Sequence, residues 1–181
     1  MKIDIFNTDK KYNIIYADPP WSYNDKCNAG NRGAEYKYPC MEVEDIKKLP
    51  VNEISEDDCI LFVWATFPML QDGLDTIKAW GFTYKTLGFN WVKRNKKNPS
   101  WFWGMGNWTR SNPEVCLIGI KGKPKRISAR IHSVIDTPIE GHSKKPNETR
   151  KRIVDLCGDI PRIELFARQS VDGWDCWGNE V

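Results

Sequence analysis

The sequence predicts an α/β fold in which helices cover both faces of a central sheet. Apolar runs of strand length, rich in β-branched and aromatic residues, occur at positions 14–17, 59–64, 84–92, 115–121 and 162–166. Segments with helical periodicity separate several of these runs. Strands that alternate with helices, followed by a strand-rich second half, are typical of a three-layer α/β architecture.

Helices are predicted at three places between the strands. A short candidate lies near 43–48. A clearer helix follows the second strand, where Thr66 can cap its start and Gly81 can end it. Its apolar stripe consists of Leu70, Leu74 and Ile77. The last helix is predicted over about 146–156 and ends before Gly158, a residue suited to a helix terminus.

The first strand ends in the tetrapeptide Asp18-Pro19-Pro20-Trp21. In α/β sheets ligands bind beyond the carboxyl ends of strands, so this block is placed where chemistry is expected. The two prolines stiffen the turn, because each has a fixed φ and no N–H. A carboxylate and a backbone carbonyl could accept both hydrogens of an exocyclic base amine, and an indole could stack on an extruded base.

A proline-rich turn closed by a buried Trp is the alternative interpretation of the same four residues. Composition alone gives this tetrapeptide in roughly a few of every thousand such chains. Its position directly after an apolar strand therefore favours the functional interpretation.

Three blocks of sequence, at 17–21, 142–146 and 164–168, resemble those of a known family. They read Ala-Asp-Pro-Pro-Trp, His-Ser-Lys-Lys-Pro and Glu-Leu-Phe-Ala-Arg, and segments 61–64 and 90–93 occupy the interval in the family's order. The family is that of the N6-adenine methyltransferases, which includes the catalytic subunit of the messenger-RNA adenosine methyltransferase and many small bacterial and phage enzymes. The resemblance implies a Rossmann-like, S-adenosyl-L-methionine-dependent methyltransferase fold with permuted motif order, in which the catalytic block comes first.

The resemblance also implies roles for individual residues. Asp18, Pro19, Pro20 and Trp21 are expected to form the catalytic block. Cofactor contacts are expected from Asp18, Lys145, Phe166, Arg168, Asn179 and Glu180. Substrate contacts are expected from Trp21, Tyr38, Trp108, Arg110, Glu114 and Ser143. For Glu114 the alternative is a simple ion pair with Arg110, and for Lys145 it is a solvated lysine before a helix.

Charge is distributed unevenly along the chain. Residues 85–130 carry 11 basic side chains and a single acid, Glu114, whereas the formal net charge of the whole chain is only +3. Aromatic residues are interleaved with these basic ones, namely Trp91, Trp101, Phe102, Trp103 and Trp108. Such a combination favours a nucleic-acid partner over a merely solvated surface. The basic side chains of this block, Lys93 among them, are expected to contact phosphates.

Length and composition limit the remaining possibilities. The 181 residues are expected to form one methyltransferase domain, 1–181, without a separate target-recognition domain. No apolar stretch approaches the roughly 18 residues of a membrane helix, and no signal peptide is recognisable, so a cytoplasmic protein without membrane contact is expected. The six cysteines lack metal-binding spacing and only two histidines occur, so no metal site is expected and the cysteines are expected to be reduced.

Alternatives to an active adenine methyltransferase remain at this stage. A non-catalytic nucleic-acid-binding subunit is disfavoured because Asp18 and Trp21 are both present. Methylation of cytosine is disfavoured by the same pair, since cytosine enzymes tend to have Ser first and Tyr last in this block. DNA is favoured over RNA because the compact chain resembles the bacterial and phage branch, and a homodimer or a partner subunit is possible.

Overall fold

A seven-stranded sheet forms the centre of the computed structural model, which describes residues 1–22, 41–141 and 144–181. The strands are β1 (Tyr12–Ala17), β2 (Ser55–Ala65), β3 (Thr83–Arg94), β4 (Glu114–Lys121), β5 (Val134–Pro138), β6 (Arg162–Leu165) and β7 (Asp175–Trp177). Within the described ranges the α-helices are α1 (Val43–Lys47), α2 (Leu70–Ala79) and α3 (Glu148–Cys157). A 3₁₀ turn, Phe67–Met69, leads into α2.

The sheet is parallel except for β4. Its strand order is β5-β3-β4-β2-β1-β6-β7, and β4 runs antiparallel to both β2 and β3. Strand β1 is central, with β2 and β6 parallel on either side. The chain therefore leaves β1 toward one side of the sheet and later returns on the other, which creates a switch in strand order beside β1.

Side chains of β1 are buried on both faces, which is expected for a central strand covered by two layers. Ile15 and Ala17 belong to a core cluster that contains Ile46 of α1 and Ile77 of α2. Ile14 and Tyr16 belong to a second cluster, which contains Ile153 and Cys157 of α3. The alternation of β1 residues between two separate cores confirms the predicted three-layer α/β class.

The five predicted strands and three predicted helices are all present, with boundaries that shift by a few residues. The edge strands β5 and β7 were not predicted from the sequence. Both are short and carry polar or proline residues, Val-Ile-Asp-Thr-Pro and Asp-Cys-Trp, so their own sequences contain little strand signal. They become strands because β3 and β6 offer them unpaired backbone groups.

The described residues contain no helix long and apolar enough to cross a bilayer. Cys59, Cys116, Cys157 and Cys176 are buried free cysteines, and Cys27 and Cys40 lie outside the described residues. Among the residues of the three described ranges, no cluster of three or more His, Cys, Asp or Glu side chains is arranged to hold a metal ion.

Candidate active site

The catalytic block, 18–21, and the third motif block, 164–168, meet at the carboxyl ends of β1 and β6. Ala17 at the end of β1 pairs with Leu165 at the end of β6, so Asp18 and Phe166 leave neighbouring parallel strands side by side. The turn after β1 is held by main-chain bonds, in which the Trp21 N–H donates to the Pro19 carbonyl at 2.9 Å. The sequence placed these residues beyond strand ends, and the register of β1 with β6 brings them together.

Lys145 is the immediate partner of Asp18. Its Nζ lies 2.8 Å from Asp18 Oδ1 and donates to Oδ2 at 3.0 Å. The Lys145 side chain is only 6% exposed and that of Asp18 is 20% exposed. Burial raises the pKa of Asp18 above its ordinary value, and the Lys145 ammonium opposes that rise. Lys145 is therefore a buried member of the site and not a solvated surface lysine.

Glu114 extends this pair into a chain of four alternating charges. Lys145 Nζ is 3.2 Å from Glu114 Oε2, and Lys93 Nζ is 2.5 Å from Glu114 Oε1. Burial raises the pKa of Glu114, but Lys145 and Lys93 together lower it further, to about 2. The ion pair with Arg110 that the sequence left open is not formed, because Glu114 points to the site from the start of β4.

A cleft of about 290 Å³ opens beside Asp18. It is lined by Tyr16, Asp18, Gly141, Lys144, Lys145, Arg150, Glu164, Phe166, Arg168, Gln169 and Glu180. Five of the six predicted cofactor residues are thus among its walls. Asn179 is exposed and is not among the described residues that line it. Arg168 Nε lies 3.6 Å from Glu180 Oε1, so the two form one side of the cleft.

The backbone under this cleft is unusual. Phe166 has a φ of 60°, and it is the non-glycine residue with a positive φ in the described part of the chain. This conformation turns the chain away from the sheet directly after β6, and its cost is tolerated mainly where a site requires it. Gly178 approaches closely, since a Cβ there would lie 2.4 Å from the Ala167 carbonyl oxygen. Phe166 also packs edge-on against Trp177, with ring centroids 5.4 Å apart.

Sequence reasoning missed a second buried ion pair in the cleft wall. Arg150 of α3 makes a bidentate contact with Glu164 of β6, with both N–H···O distances at 2.6 Å. Burial raises the pKa of Glu164, and Arg150 opposes the rise. The available signal was a single carboxylate within an apolar strand, because such a residue is rarely buried without a partner.

Trp21 is buried at 4% exposure within the core beneath α1 and α2. Its indole N–H donates to the Trp64 carbonyl at 3.0 Å, which fixes the plane of the ring. The burial of the indole agrees with the interpretation of the tetrapeptide as a turn closed by a core Trp, and it leaves the catalytic interpretation of Asp18 and Pro19 open. Stacking of Trp21 on a base stays a prediction.

The basic, aromatic segment is divided between the core and the surface. Lys93 and Trp91 are directed inward, so they are unsuited to contact a polyanion, contrary to the expectation for the whole 85–130 block. Arg94 is also engaged, in a bidentate pair with Asp136 at 2.7 Å and over the Trp101 ring. Exposed basic residues of the block lie at 121–130 as well as in the segment 95–111, which joins β3 to β4 and which we call the arm.

The arm carries exposed large side chains, namely Trp101, Trp103, Met105 and Trp108. Trp108 is fully exposed, and the Arg110 guanidinium contacts Met105 Sδ at 3.8 Å. Neither Trp108 nor Arg110 lines the cleft. Within the arm Lys96, Lys97 and Arg110 are the charged residues, all basic. Tyr38 and Ser143, both predicted to contact substrate, lie outside the described residues.

Comparison with known proteins gives one consistent result. A model of the MT-A70 family matches residues 12–180. The Type II methyltransferase M.MunI of Mycoplasma sp is 36% identical over 190 aligned residues, which cover 95% of this chain and 78% of the relative. The N(6)-adenosine-methyltransferase MT-A70-like protein of Drosophila melanogaster is 29% identical, covering 94% of this chain and 27% of the relative.

The human N(6)-adenosine-methyltransferase catalytic subunit METTL3 is 27% identical over 94% of this chain. The chain spans only 28% of that relative's length, so it matches one part of the longer eukaryotic proteins. The family match reaches from β1 through Glu180 and includes both ends of the cleft. This chain therefore belongs to the MT-A70 family of methyltransferases.

Proposed function

We propose that this protein transfers a methyl group from S-adenosyl-L-methionine to the N6 amine of adenine in nucleic acid, with DNA as the favoured substrate. The observation that carries the proposal is the Asp18-Pro-Pro-Trp21 turn at the carboxyl end of β1, with its carboxylate at the rim of the cleft next to Lys145. The relatives named N(6)-adenosine-methyltransferases support adenine as the base. The resemblance to a bacterial Type II methyltransferase supports DNA.

The charges of the cleft suit the proposed methyl donor. Its walls contain cationic groups, including Lys145, that could bind the carboxylate of S-adenosyl-L-methionine. They also contain acidic groups, such as Glu180, that could accept hydrogen bonds from the two hydroxyls of its ribose. Phe166 lines the cleft and could contact a flat ring, and the close approach of Gly178 to Ala167 lies directly behind its turn. When bound, S-adenosyl-L-methionine supplies an electrophilic methyl group on a sulfonium centre.

The residues of the chain would act by positioning. The Asp18 carboxylate accepts one hydrogen of the amine and the Pro19 carbonyl accepts the other, which directs the nitrogen lone pair toward the methyl group. The Pro19 carbonyl already accepts the Trp21 N–H, and its second lone pair is available for this contact. Proton loss follows bond formation, so alignment dominates the rate and no metal is required.

Asp18 can receive an amine while Lys145 stays in contact with it. Lys145 contacts both carboxylate oxygens, but each ionised oxygen offers two acceptor positions, so a position remains for a hydrogen of the amine. Lys145 also contacts Glu114, and a ligand carboxylate in the cleft could approach the same ammonium. The proposed role of Lys145 is thus to hold the Asp18 carboxylate in place and to stabilise negative charge beside it.

The arm is the proposed nucleic-acid surface. It presents Trp103 and Trp108 to solvent together with basic side chains and no acid, which suits stacking on bases and contact with phosphates. Arm residues follow β3 and precede β4, whose ends hold Lys93 and Glu114, so the arm starts and finishes next to the charge chain. A nucleic acid on the arm would therefore lie beside the site.

RNA methylation is the second candidate, supported by the eukaryotic relatives. A non-catalytic subunit is the third, and the intact Asp18–Lys145 pair argues against it. We further propose that residues 1–181 act as one methyltransferase domain in the cytoplasm, and that site selection depends on short loops or on a second protein, either another copy or a partner subunit.

Mass spectrometry of digested nucleic acids tests these candidates. The wild-type protein is incubated with S-adenosyl-L-methionine and either duplex DNA or RNA, and N6-methyldeoxyadenosine and N6-methyladenosine are quantified. We expect the deoxy product, and a rate at least about a hundredfold lower for Asp18→Asn, because a positioned acceptor is lost. Predominance of the ribo product would support RNA, and absence of both products would contradict the proposed function.

A further inference from the structure

Lys93 is a partly buried lysine that neither the sequence nor the proposed mechanism had assigned to the site. We propose that Lys93 is a positioning residue that fixes the Glu114 carboxylate and thereby keeps the Lys145 ammonium in contact with Asp18. The inference rests on the proposed function for its catalytic consequence, but its structural part can be measured without substrate. Lys93 was expected to contact phosphate, and its surroundings show why it cannot do so.

The two oxygens of Glu114 have different partners. Oε1 lies 2.5 Å from Lys93 Nζ, and Oε2 lies 3.2 Å from Lys145 Nζ. The exposed fractions of the Lys93, Glu114 and Lys145 side chains are 15%, 13% and 6%. A carboxylate held at both oxygens by two cations cannot rotate freely, so its Oε2 is kept toward Lys145.

Hydrogen bonds to the Asn112 side chain also fix the main chain of Lys93. Asn112 is buried, its Oδ1 accepts the Lys93 N–H at 2.9 Å, and its Nδ2 donates to the Lys93 carbonyl at 2.9 Å. The same Nδ2 donates to the Phe102 carbonyl. The Lys93 Nζ lies 5.1 Å from the centre of the Trp91 ring and 6.0 Å from that of Phe102. These contacts hold the ammonium at one position and connect it to the base of the arm.

Charge balance explains why the site needs Lys93. Among the described residues, the carboxylates of Asp18 and Glu114 contact the ammonium groups of Lys145 and Lys93, and Arg168 adds a more distant positive charge near Asp18. Without Lys93 both carboxylates would compete for Lys145, whose distance to Asp18 is 0.4 Å shorter than that to Glu114. Attraction to an unpaired Glu114 would draw Lys145 away from Asp18 and leave the cluster with excess negative charge.

Carboxyl titration followed by ¹³C NMR tests the structural part of the proposal. Spectra of wild type, Lys93→Met, Lys93→Arg and Lys78→Met are recorded from pH 7 to pH 3, with the Glu114 signal assigned by its loss in Glu114→Gln. Lys78 is an exposed lysine on α2 and serves as the matched control. We expect Glu114 to stay ionised down to pH 3 in wild type, Lys93→Arg and Lys78→Met, and to titrate at a higher pH, within the measured range, in Lys93→Met. Lys93→Gln provides the same test if Lys93→Met does not fold.

Methyl transfer tests the catalytic part. We expect kcat/KM to fall about tenfold or more in Lys93→Met, to recover largely in Lys93→Arg and to stay unchanged in Lys78→Met. A Glu114 midpoint that does not move in Lys93→Met would overturn the proposal, as would a moved midpoint with a rate within about threefold of wild type. A wild-type protein that methylates neither nucleic acid would contradict the proposed function instead, while the titration would still decide whether Lys93 holds Glu114.

Discussion

Replacing Glu114 by Gln tests the charge chain through its contribution to stability. Burial raises the pKa of Glu114, and Lys145 and Lys93 lower it further, so that the pKa falls from 4.5 to about 2. One pKa unit corresponds to about 1.4 kcal/mol, so the ionised carboxylate stabilises the folded protein by about 3 kcal/mol. Because the folded pKa is depressed, this contribution is complete above about pH 4.5 and is lost as the pH falls toward about 2.

Urea unfolding of wild type and Glu114→Gln at a series of pH values measures the effect. We expect the difference in free energy of unfolding to be about 3 kcal/mol at pH 7 and to shrink by about 1.4 kcal/mol per pH unit below pH 4.5. Glu148→Gln is the control, because Glu148 forms an exposed ion pair with Arg152 on α3 and should change stability by less than about 1 kcal/mol. A difference between wild type and Glu114→Gln that is independent of pH from 7 to 3 would refute the reasoning.

Three further predictions concern the turn at Phe166, the arm and the core. In Gly178→Ala the new Cβ would meet the Ala167 carbonyl at 2.4 Å and displace the turn that holds Phe166 in the cleft wall. Calorimetry should therefore show affinity for S-adenosyl-L-methionine reduced about tenfold, and unchanged affinity would exclude this turn as a determinant of cofactor binding. Changing Lys96, Lys97 and Arg110 together to Gln should reduce the slope of log affinity for duplex DNA against log salt concentration by up to about 2.7, while cofactor affinity stays unchanged. An unaltered slope would mean that the phosphates bind elsewhere on the protein. Trp21→Ala should lower the free energy of unfolding by about 3–5 kcal/mol in urea, because the indole is buried at 4% exposure, and a loss below about 1 kcal/mol would contradict its place in the core.

Local patterns in the sequence were sufficient for the central elements. The apolar runs of β1, β2 and β4 and the stripe of α2 produce their structures because their periodicity matches the faces they bury. Edge strand β5 was missed because its residues form a strand only when β3 supplies the partner backbone. Pattern reasoning therefore succeeds in the centre of the sheet and fails at its edges, where neighbours supply most of the stabilisation.

The sequence by itself determined the chemistry-bearing tetrapeptide, its position after a strand and the family to which it belongs, because these properties are local. Only the tertiary structure decided which charges meet. Lys93 and Glu114 approach through the antiparallel pairing of β3 with β4, and Lys145 reaches both Glu114 and Asp18 from the segment before α3. The number of basic residues in the sequence predicted that Lys93 contacts phosphate. In the structure, strand register and burial instead pair Lys93 with Glu114. The physical reason is that an ion pair depends on distance and dielectric environment, and both are fixed only when distant strands have packed.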